Sequence, residues 1–339
     1  MIADTSGRNR TEKEDPTRVP NAEARTSTGL PKTEGTHDLE EVAEAILKYE
    51  GVFELTSTQE VTEREKQFSD QEQKLKTRMS KVRHKIAVIS GKGGVGKSTV
   101  AVNLAVALAM HGHADRIGIL DADIHGPSVP RMLGLVGQRL KVGPPGAFPA
   151  SGTLGIKVVS MDFLLPDENA PVIWRGPLKM TAIRQFLSEI IWGDLDILLI
   201  DLPPGTGDEP LSIAQLLPEM DGVVIVTIPS KVSQVVVKKS VTFARQLGMP
   251  IVGVIENMSG FICPHCGKKS DIFESGGGQK IAEELSIAFL GSIPIDQEIC
   301  EDADRGKPFI VEHPDSAASR SFMEIVQKIE DFLKQKARK

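Results

Sequence analysis

The sequence contains few of the residues that several common protein classes require. Only 3 of its 339 residues are cysteine and only 4% are aromatic, which excludes a disulfide scaffold and disfavours an aromatic-rich β-sandwich. No apolar run approaches the ~18 residues of a membrane span, and the first residues lack the apolar segment of a secretory signal. The net charge of -6 argues against a general binder of nucleic-acid phosphates. We therefore expect a cytoplasmic protein with no membrane and no nucleic-acid partner.

Composition divides the chain into three parts. Residues 1–36 are rich in Thr, Glu, Pro and Arg and have hardly any large apolar side chains, so we expect a disordered N-terminal tail. Residues 37–80 form a charged, partly helical extension. We interpret its second half as a solvated linker helix, with docking on a partner as the alternative. Residues 81–339 have the pattern of one α/β domain.

Short apolar segments alternate with amphipathic segments from Lys85 onward. The apolar segments predict strands at 85–90, 116–121, 156–161, 196–201, 222–229, 251–257 and 288–294. The amphipathic segments predict helices at 98–111, 177–192, 209–217, 233–247, 276–285 and 315–337. Short strands that are apolar on both sides indicate an α/β fold with a mostly parallel, doubly wound sheet and helices on both faces. Ligands of such sheets bind at the carboxyl ends of the strands.

A glycine-rich motif lies between the first predicted strand and helix. It matches G-x-x-x-x-G-K-S/T, the phosphate loop of P-loop NTPases, whose backbone N–H groups and following helix bind phosphate. In this setting Lys97 is expected to contact the β- and γ-phosphates of ATP, and the Ser98 hydroxyl to ligate Mg²⁺. The predicted nucleotide-binding residues of the loop are Gly91, Lys92, Gly93, Gly94, Val95, Gly96, Lys97, Ser98 and Thr99.

Acidic residues end two further predicted strands. Asp201 follows an apolar run and is placed to hold a Mg²⁺-bound water, and Gly205 just beyond it could donate its N–H to the γ-phosphate. Asp121 and Asp123 end the second strand near the same edge. Helix capping or turn formation is the alternative for this pair.

The loop resembles the deviant Walker A group of dimeric P-loop ATPases, because it has a second lysine, Lys92. The resemblance implies that Lys92 reaches across a dimer interface to the partner's nucleotide. It also implies that Asp123 positions the attacking water, that Asp121 belongs to the Mg²⁺ shell and that Asn257 contacts adenine, with a turn residue as the alternative for Asn257. Lys92, Lys97 and Asp123 are thus the expected catalytic residues.

A cysteine pair, Cys263 and Cys266, follows the sixth predicted strand in the segment CPHCG. Two thiolates two residues apart form a chelating unit, but a tetrahedral zinc ion or an iron–sulfur cubane needs four ligands. Cys300, far along the chain, is expected to be a buried small hydrophobe. A symmetric homodimer would supply two thiolates from each chain. The same dimer would bring Lys92 of one chain to the nucleotide of its partner.

The segment NMSGFICPHCG resembles the signature of the Mrp/ApbC iron–sulfur carriers within that group, and the resemblance spans roughly residues 80–337. It implies a P-loop ATPase that binds a bridging [4Fe-4S] cluster at Cys263 and Cys266. Such a carrier would receive the cluster from assembly scaffolds and transfer it to apo iron–sulfur proteins.

Three alternatives remain open from the sequence. A spatial-organising ATPase like MinD would use an amphipathic C-terminal helix on a membrane, although the mixed charges of that helix favour core packing. An electron-transfer reductase like the nitrogenase iron protein would use widely separated single cysteines. The same dimer with a structural zinc ion would use the same thiolates.

Overall fold

The computed structural model describes the chain from residue 58 onward with short gaps. The chain divides into the units Met1–Glu54 and Leu55–Lys339, and every described residue belongs to the second unit. The tail expected at 1–36 and the first part of the extension at 37–80 therefore lie outside the described residues. The described ranges are 58–144, 146–164, 176–263, 265–266, 268–272 and 274–338.

Strands and helices alternate along most of this unit, as the hydrophobic pattern predicts. The strands are Val82–Ser90 (β1), Ile117–Asp121 (β2), Lys141–Gly143 (β3), Gly146–Phe148 (β4), Ala150–Ser151 (β5), Lys157–Ser160 (β6), Leu195–Asp201 (β7), Gly222–Thr227 (β8), Ile251–Glu256 (β9), Phe261–Ile262 (β10), Lys269–Ser270 (β11) and Phe289–Ser292 (β12). The α-helices are Thr58–Met79 (α1), Lys97–Leu108 (α2), Val129–Met132 (α3), Gly176–Ser188 (α4), Asp208–Leu216 (α5), Lys231–Gln246 (α6), Gly277–Glu284 (α7), Gln297–Arg305 (α8), Phe309–Glu312 (α9) and Ala317–Lys336 (α10). A π-helical turn at Ala109–His113 extends α2, and 3₁₀ turns lie at Thr153–Gly155 and Met161–Leu164.

The main sheet has eight strands in the order β12-β9-β8-β1-β7-β2-β6-β5. All neighbours are parallel except β5 and β6, which are antiparallel. The order reverses direction at β1, which lies between β7 and β8. The predicted mostly parallel, doubly wound sheet is confirmed.

Helices cover both faces of the sheet because its strands are apolar on both sides. Along β1, Ile86 and Val88 face a core with α2, α9 and α10, whereas Ala87 and Ile89 face a core with α1, α4, α5, α6 and α7. All four side chains are almost fully buried. Alternation of this kind is expected of strands whose successive side chains point to opposite faces.

The helix α1 is part of this packed structure. Its residues Leu75 and Met79 are 7% and 4% exposed and belong to the second core, and Lys74 pairs with Glu189 beyond α4. The interpretation of this stretch as a solvated linker is therefore wrong for its C-terminal turns. Leu75 and Met79 are one turn apart and therefore lie on the same side of the helix, which suffices for docking.

The segment around Cys300 is helical, but the exposure of Cys300 differs from its prediction. It forms the amphipathic helix α8, in which Asp302 is buried while Cys300 is exposed. The expectation that Cys300 is a buried small hydrophobe is wrong, because the helix turns this position away from the protein interior.

The C-terminal helix α10 packs against the sheet. Its residues Phe322, Ile325, Val326, Ile329 and Leu333 are buried in the first core, as the amphipathic stripe predicts. Within the described part of the chain, none of the helices combines the length and apolar content that a bilayer crossing requires.

We predict that the docking of α1 contributes to the stability of the unit. Leu75→Ala should lower the free energy of unfolding by about 2–4 kcal/mol, because it removes a buried side chain and leaves a cavity. Denaturant unfolding followed by circular dichroism measures this change. Val142→Ala, at a position that is 63% exposed, is the control and should change stability by less than about 0.5 kcal/mol. Equal effects of the two substitutions would contradict the packing of α1.

Candidate functional site

The glycine-rich loop joins the end of β1 to the start of α2 at the point where the strand order reverses. Gly94 and Gly96 have φ angles of 75° and 76°, a left-handed conformation that favours glycine. A side chain on Gly96 would also collide with the amide of Asn257. The backbone therefore requires glycine here, and α2 begins directly after it. Loop and helix N-terminus together have the form of a phosphate-binding site.

Lys97 and Asp201 form a buried ion pair next to this loop. The Lys97 Nζ lies 2.5 Å from Asp201 Oδ1 and 3.1 Å from Ser98 Oγ. Burial raises the pKa of Asp201, and the positive charge of Lys97 opposes this shift. The second carboxylate oxygen, Oδ2, is buried and has no hydrogen-bond partner among the residues that the structure describes.

Asp121 lies beside Asp201 because β2 and β7 are parallel and in register at these residues. One Asp121 oxygen accepts hydrogen bonds from the Ser128 and Val129 N–H groups and from Ser160 Oγ, at 3.1–3.2 Å. Burial, and next the negative charge of Asp201, raise the pKa of Asp121 to about 7. Two buried carboxylates on adjacent strands repel each other, so a cation between them would be stabilised.

These residues fit a magnesium ion. Mg²⁺ prefers oxygen ligands and keeps several waters, and the site offers the Ser98 hydroxyl together with Asp201, whose Oδ2 is unsatisfied. Asp121 is held by its own hydrogen bonds one strand further on. The sequence-predicted magnesium residues are thus brought together.

Asp123, Lys92 and Gly205 lie in the loops at the same edge. Asp123 Oδ1 accepts a hydrogen bond from the Gly126 N–H at 3.2 Å, which shapes the turn after β2. Among the described residues, the Lys92 ammonium has no hydrogen-bond or ion-pair partner, and only its carbonyl accepts a bond, from Ser90 Oγ at 3.0 Å. Gly205 differs from its expectation: its N–H donates to the Ser90 carbonyl at 2.8 Å, so a bond to the γ-phosphate requires this one to break.

Asn257 connects the phosphate loop to the segment that contains the cysteines. It is 7% exposed, and its Nδ2 donates to the Val95 carbonyl at 2.9 Å. Its backbone N–H donates to Thr227 on β8. The amide group expected to contact adenine is therefore engaged with the loop itself.

Cys263 and Cys266 lie at the turn of a small hairpin formed by β10 and β11. The Cys263 N–H donates to the Lys268 carbonyl at 3.0 Å and closes the turn. Both thiols are free, with Cys263 half-buried and Cys266 exposed. The pKa of Cys263 is lowered because the Cys266 and His265 N–H groups and the Cys266 side chain hydrogen-bond to its sulfur. Backbone N–H groups that point at a thiolate sulfur suit a metal-binding turn.

Glu256, at the end of β9, holds this hairpin to the domain. Its side chain is fully buried. Its Oε1 accepts hydrogen bonds from Ser259 Oγ at 2.5 Å and the Gly276 N–H at 2.9 Å, and its Oε2 accepts one from the Gly278 N–H. Sequence reasoning missed Glu256, although a carboxylate at the end of an apolar strand, followed by three glycines at the next helix start, is a usable signal.

A family model described as "ParA: NUBPL iron-transfer P-loop NTPase" matches residues 81–330. The chain belongs to this family. It is a P-loop NTPase, and the resemblance drawn from its motifs is confirmed.

Curated relatives agree with the ParA/NUBPL assignment. An iron-sulfur cluster carrier protein of Methanocaldococcus jannaschii is 53% identical over 264 residues, which cover 78% of this chain and 90% of the relative. A protein of the same name from Saccharolobus solfataricus is 54% identical over 256 residues and covers 76% of this chain and 86% of the relative.

Solved structures show the same fold. A nucleotide-binding protein of Archaeoglobus fulgidus, in complex with ADP and with cobalt, is 42% identical with a TM-score of 0.63, covering 70% of this chain and 92% of that one. The cell division ATPase MinD of Pyrococcus furiosus has a TM-score of 0.53 at 21% identity, with 74% of this chain and 99% of MinD covered. The similarity to MinD extends to the fold alone.

We predict that Glu256 positions the cysteine hairpin. Glu256→Gln replaces charge-assisted hydrogen bonds by weaker ones. It also replaces one carboxylate oxygen by an NH₂ group, which would face the same hydrogen-bond donors. Together these effects should lower the free energy of unfolding by about 1.5–3 kcal/mol. Amide hydrogen exchange should rise most between residues 257 and 278.

The matched control is Glu283→Gln on α7, where the exposed carboxylate accepts only from Gln279 among the described residues. This substitution should leave exchange in the hairpin unchanged. Equal exchange in the two variants would contradict the positioning role of Glu256.

Proposed function

We propose that this protein is an ATP-dependent iron–sulfur cluster carrier. It binds and hydrolyses MgATP, holds one [4Fe-4S] cluster between two copies of the chain, and transfers the cluster from assembly scaffolds to apo-proteins. The observation that carries the proposal is that one domain of the ParA/NUBPL family contains both a complete phosphate loop and a partly exposed turn with two cysteines.

The nucleotide half of the proposal rests on the Lys97 and Asp201 pair. MgATP offers a partner to each member of this pair. Its phosphates would bind the Lys97 ammonium, and Mg²⁺ with its waters would bind the Asp201 carboxylate. Asp123 in the turn after β2 is assigned to orient the attacking water, and Lys92 to reach the nucleotide of the second copy. When bound, Mg²⁺ would neutralise the charge that develops on the phosphates.

The cluster half rests on the number of thiolates. Each chain presents two adjacent cysteines on the hairpin, and a cubane held by cysteine needs four. The third cysteine, Cys300, lies on α8, an element that is not part of the hairpin. Two copies related by a two-fold axis provide the set of four.

Exposed apolar side chains support dimer contacts both beside the phosphate loop and at the cysteine hairpin. On α6, whose Val236 lies against Gly91 of the loop, Val232 and Val235 are 69% and 59% exposed. On and beside the hairpin, Ile262 and Ile272 are 38% and 55% exposed. Large apolar side chains at this exposure are candidates for burial in an interface.

Asn257 suggests how the two halves communicate. It follows Glu256 directly, so the residue that bonds the phosphate loop is adjacent to the residue that anchors the hairpin. A shift of the Val95 carbonyl on nucleotide binding would therefore move Asn257 and, through Glu256, the base of the hairpin.

A membrane-bound switch like MinD is the weaker candidate function. The apolar side of α10 is buried in the core, and such a switch gives no role to the two cysteines of the hairpin.

We predict that Lys97→Ala abolishes nucleotide use. The change removes the main phosphate cation and leaves Asp201 unpaired, so ATP hydrolysis should fall by about 100-fold or more. Phosphate release and calorimetric titration with MgATP measure turnover and affinity, and circular dichroism verifies folding.

The comparison variant is Asp123→Asn, which should reduce turnover while leaving ATP affinity largely intact, because this residue is assigned to water rather than to the nucleotide. Hydrolysis by Lys97→Ala at the parental rate would contradict the phosphate-loop assignment. Equal losses of affinity and turnover in Asp123→Asn would move this residue to Mg²⁺ coordination.

We predict that the cluster depends on both hairpin cysteines. After anaerobic reconstitution the parental chain should hold about two irons and two sulfides, which is one [4Fe-4S] per dimer. Cys263→Ala and Cys266→Ala should each lose the cluster, because the remaining pair of thiolates cannot complete the shell. Metal and sulfide analysis, the visible spectrum and size-exclusion mass measure these outcomes.

Cys300→Ala is the matched control and should keep the cluster, since its thiol lies on α8. A monomer that carries a full cluster, or loss of the cluster in Cys300→Ala, would overturn the bridging arrangement. Recovery of zinc in place of iron after reconstitution would retain the dimer and refute the carrier function.

A further inference from the structure

A second group of metal-ligating side chains lies at the C-terminal end of the unit. Glu298 and Asp302 are one turn apart on the same side of α8, and His313 follows α9 directly. One ligand atom from each of the three residues lies within 4.8 Å of the others. Their elements contribute none of the residues assigned to the nucleotide or to the hairpin thiols.

The buried member of this group has an unsatisfied atom. The Asp302 side chain is 4% exposed, and its Oδ2 lies 3.0 Å from His313 Nε2. Within the described part of the chain this oxygen nevertheless has no hydrogen-bond partner, so it lies close to the imidazole nitrogen without the alignment that a hydrogen bond requires. A buried carboxylate oxygen without a partner is costly unless another group satisfies it.

The spacing of the three atoms matches ligands that converge on one ion. Zinc binds nitrogen and carboxylate oxygen at about 2.0–2.2 Å, so adjacent ligand atoms of a tetrahedral site lie about 3.3–3.6 Å apart. The Oδ2 to Nε2 distance of 3.0 Å is slightly shorter than this spacing, and the distance of 3.9 Å from Glu298 Oε2 to Nε2 is slightly longer. The Glu298 side chain is 48% exposed and adjusts easily.

The imidazole is held in place by its surroundings. The His313 ring packs against the Phe309 ring with 5.1 Å between centroids, and the backbone N–H of His313 donates to the Phe309 carbonyl at 2.8 Å. The His313 carbonyl accepts from Ser319 Oγ at 2.6 Å, which ties it to the start of α10. The backbone of His313 is therefore held in place, and the Phe309 ring restricts the orientation of the imidazole.

We propose that Glu298, Asp302 and His313 form a site for a divalent transition metal ion of the Zn²⁺ or Co²⁺ class. One imidazole and two carboxylates suit such ions better than Mg²⁺ or Ca²⁺, which prefer oxygen ligands alone. Three protein ligands leave the remaining positions to water. The ion joins α8 to the junction of α9 and α10 and thereby stabilises this end of the domain.

The test uses the full chain with Cys263→Ser, Cys266→Ser and Cys300→Ser, so that thiolates do not compete for metal. Nucleotide is omitted because phosphates bind metal ions. Calorimetric titration of the metal-free protein with Zn²⁺ should show about one ion per chain, and the melting temperature should rise with Zn²⁺ concentration. In this background, Glu298→Gln and His313→Gln should each weaken binding by at least about tenfold and remove the rise in melting temperature.

The matched control is Glu301→Gln, which makes the same charge change on the same helix. Among the described residues, Glu301 pairs with Gln297 and Arg305 rather than with the cluster, so this variant should bind Zn²⁺ like the background protein. Both test positions are partly exposed, which favours intact folding of their variants. Absence of Zn²⁺ binding, or equal binding by all of these variants, would overturn the proposal and leave only the close contact between Asp302 and His313.

Discussion

The parallel register of β1, β7 and β2 is the constraint on which the nucleotide site depends. Val88 is paired with Asp201, and Asp201 with Asp121, across three adjacent strands. Because parallel strands end at the same edge of the sheet, this register places two carboxylates beside the loop that leaves β1. A shift by one residue would turn each carboxylate to the other face. The geometry of the site is therefore a property of the sheet and not of the loop alone.

The same register has an electrostatic cost. Two buried carboxylates and one buried ammonium lie together, and the pKa values of both Asp121 and Asp201 are raised by burial. The Lys97 ammonium offsets part of this cost through its contact with Asp201. A bound magnesium ion would favour the ionised form of both acids. The arrangement therefore suits a ligand that brings a positive ion to the two carboxylates and negative groups to the Lys97 ammonium.

The sequence predicts most of the sheet because its signals are local. Each of the predicted strands was confirmed within a few residues, since a short apolar run between amphipathic segments has few alternatives in an α/β chain. The phosphate loop and its acids could be predicted because the spacing of glycines and the ends of strands are both visible in the sequence. The matching family model confirms that the chain is a P-loop NTPase.

The features that could not be predicted depend on contacts between distant segments. Glu256 bonds Gly276 and Gly278, and Asn257 bonds Val95, so each of these hydrogen bonds joins residues that are far apart in the sequence. Among the described residues, the buried apolar contacts of α1 come from Leu75 and Met79, and two apolar positions are too few to predict docking from the sequence. Cys300 was assigned by the average behaviour of cysteine, whereas the orientation of α8 determines its exposure.

Because of the bonds of the Glu256 carboxylate, the stability of the sheet does not depend on the length of the segment between Ser259 and Gly276, which contains the two cysteines. The carboxylate brings the end of β9 and the beginning of α7 together by direct bonds, so these elements do not rely on the residues between them to stay adjacent. Each doubling of a closed loop adds only about 0.6 kcal/mol of entropic cost. Insertions and deletions in the segment between Ser259 and Gly276 should therefore be tolerated by the folded domain, and this part of the chain is free to diverge in length while the nucleotide-binding edge stays the same.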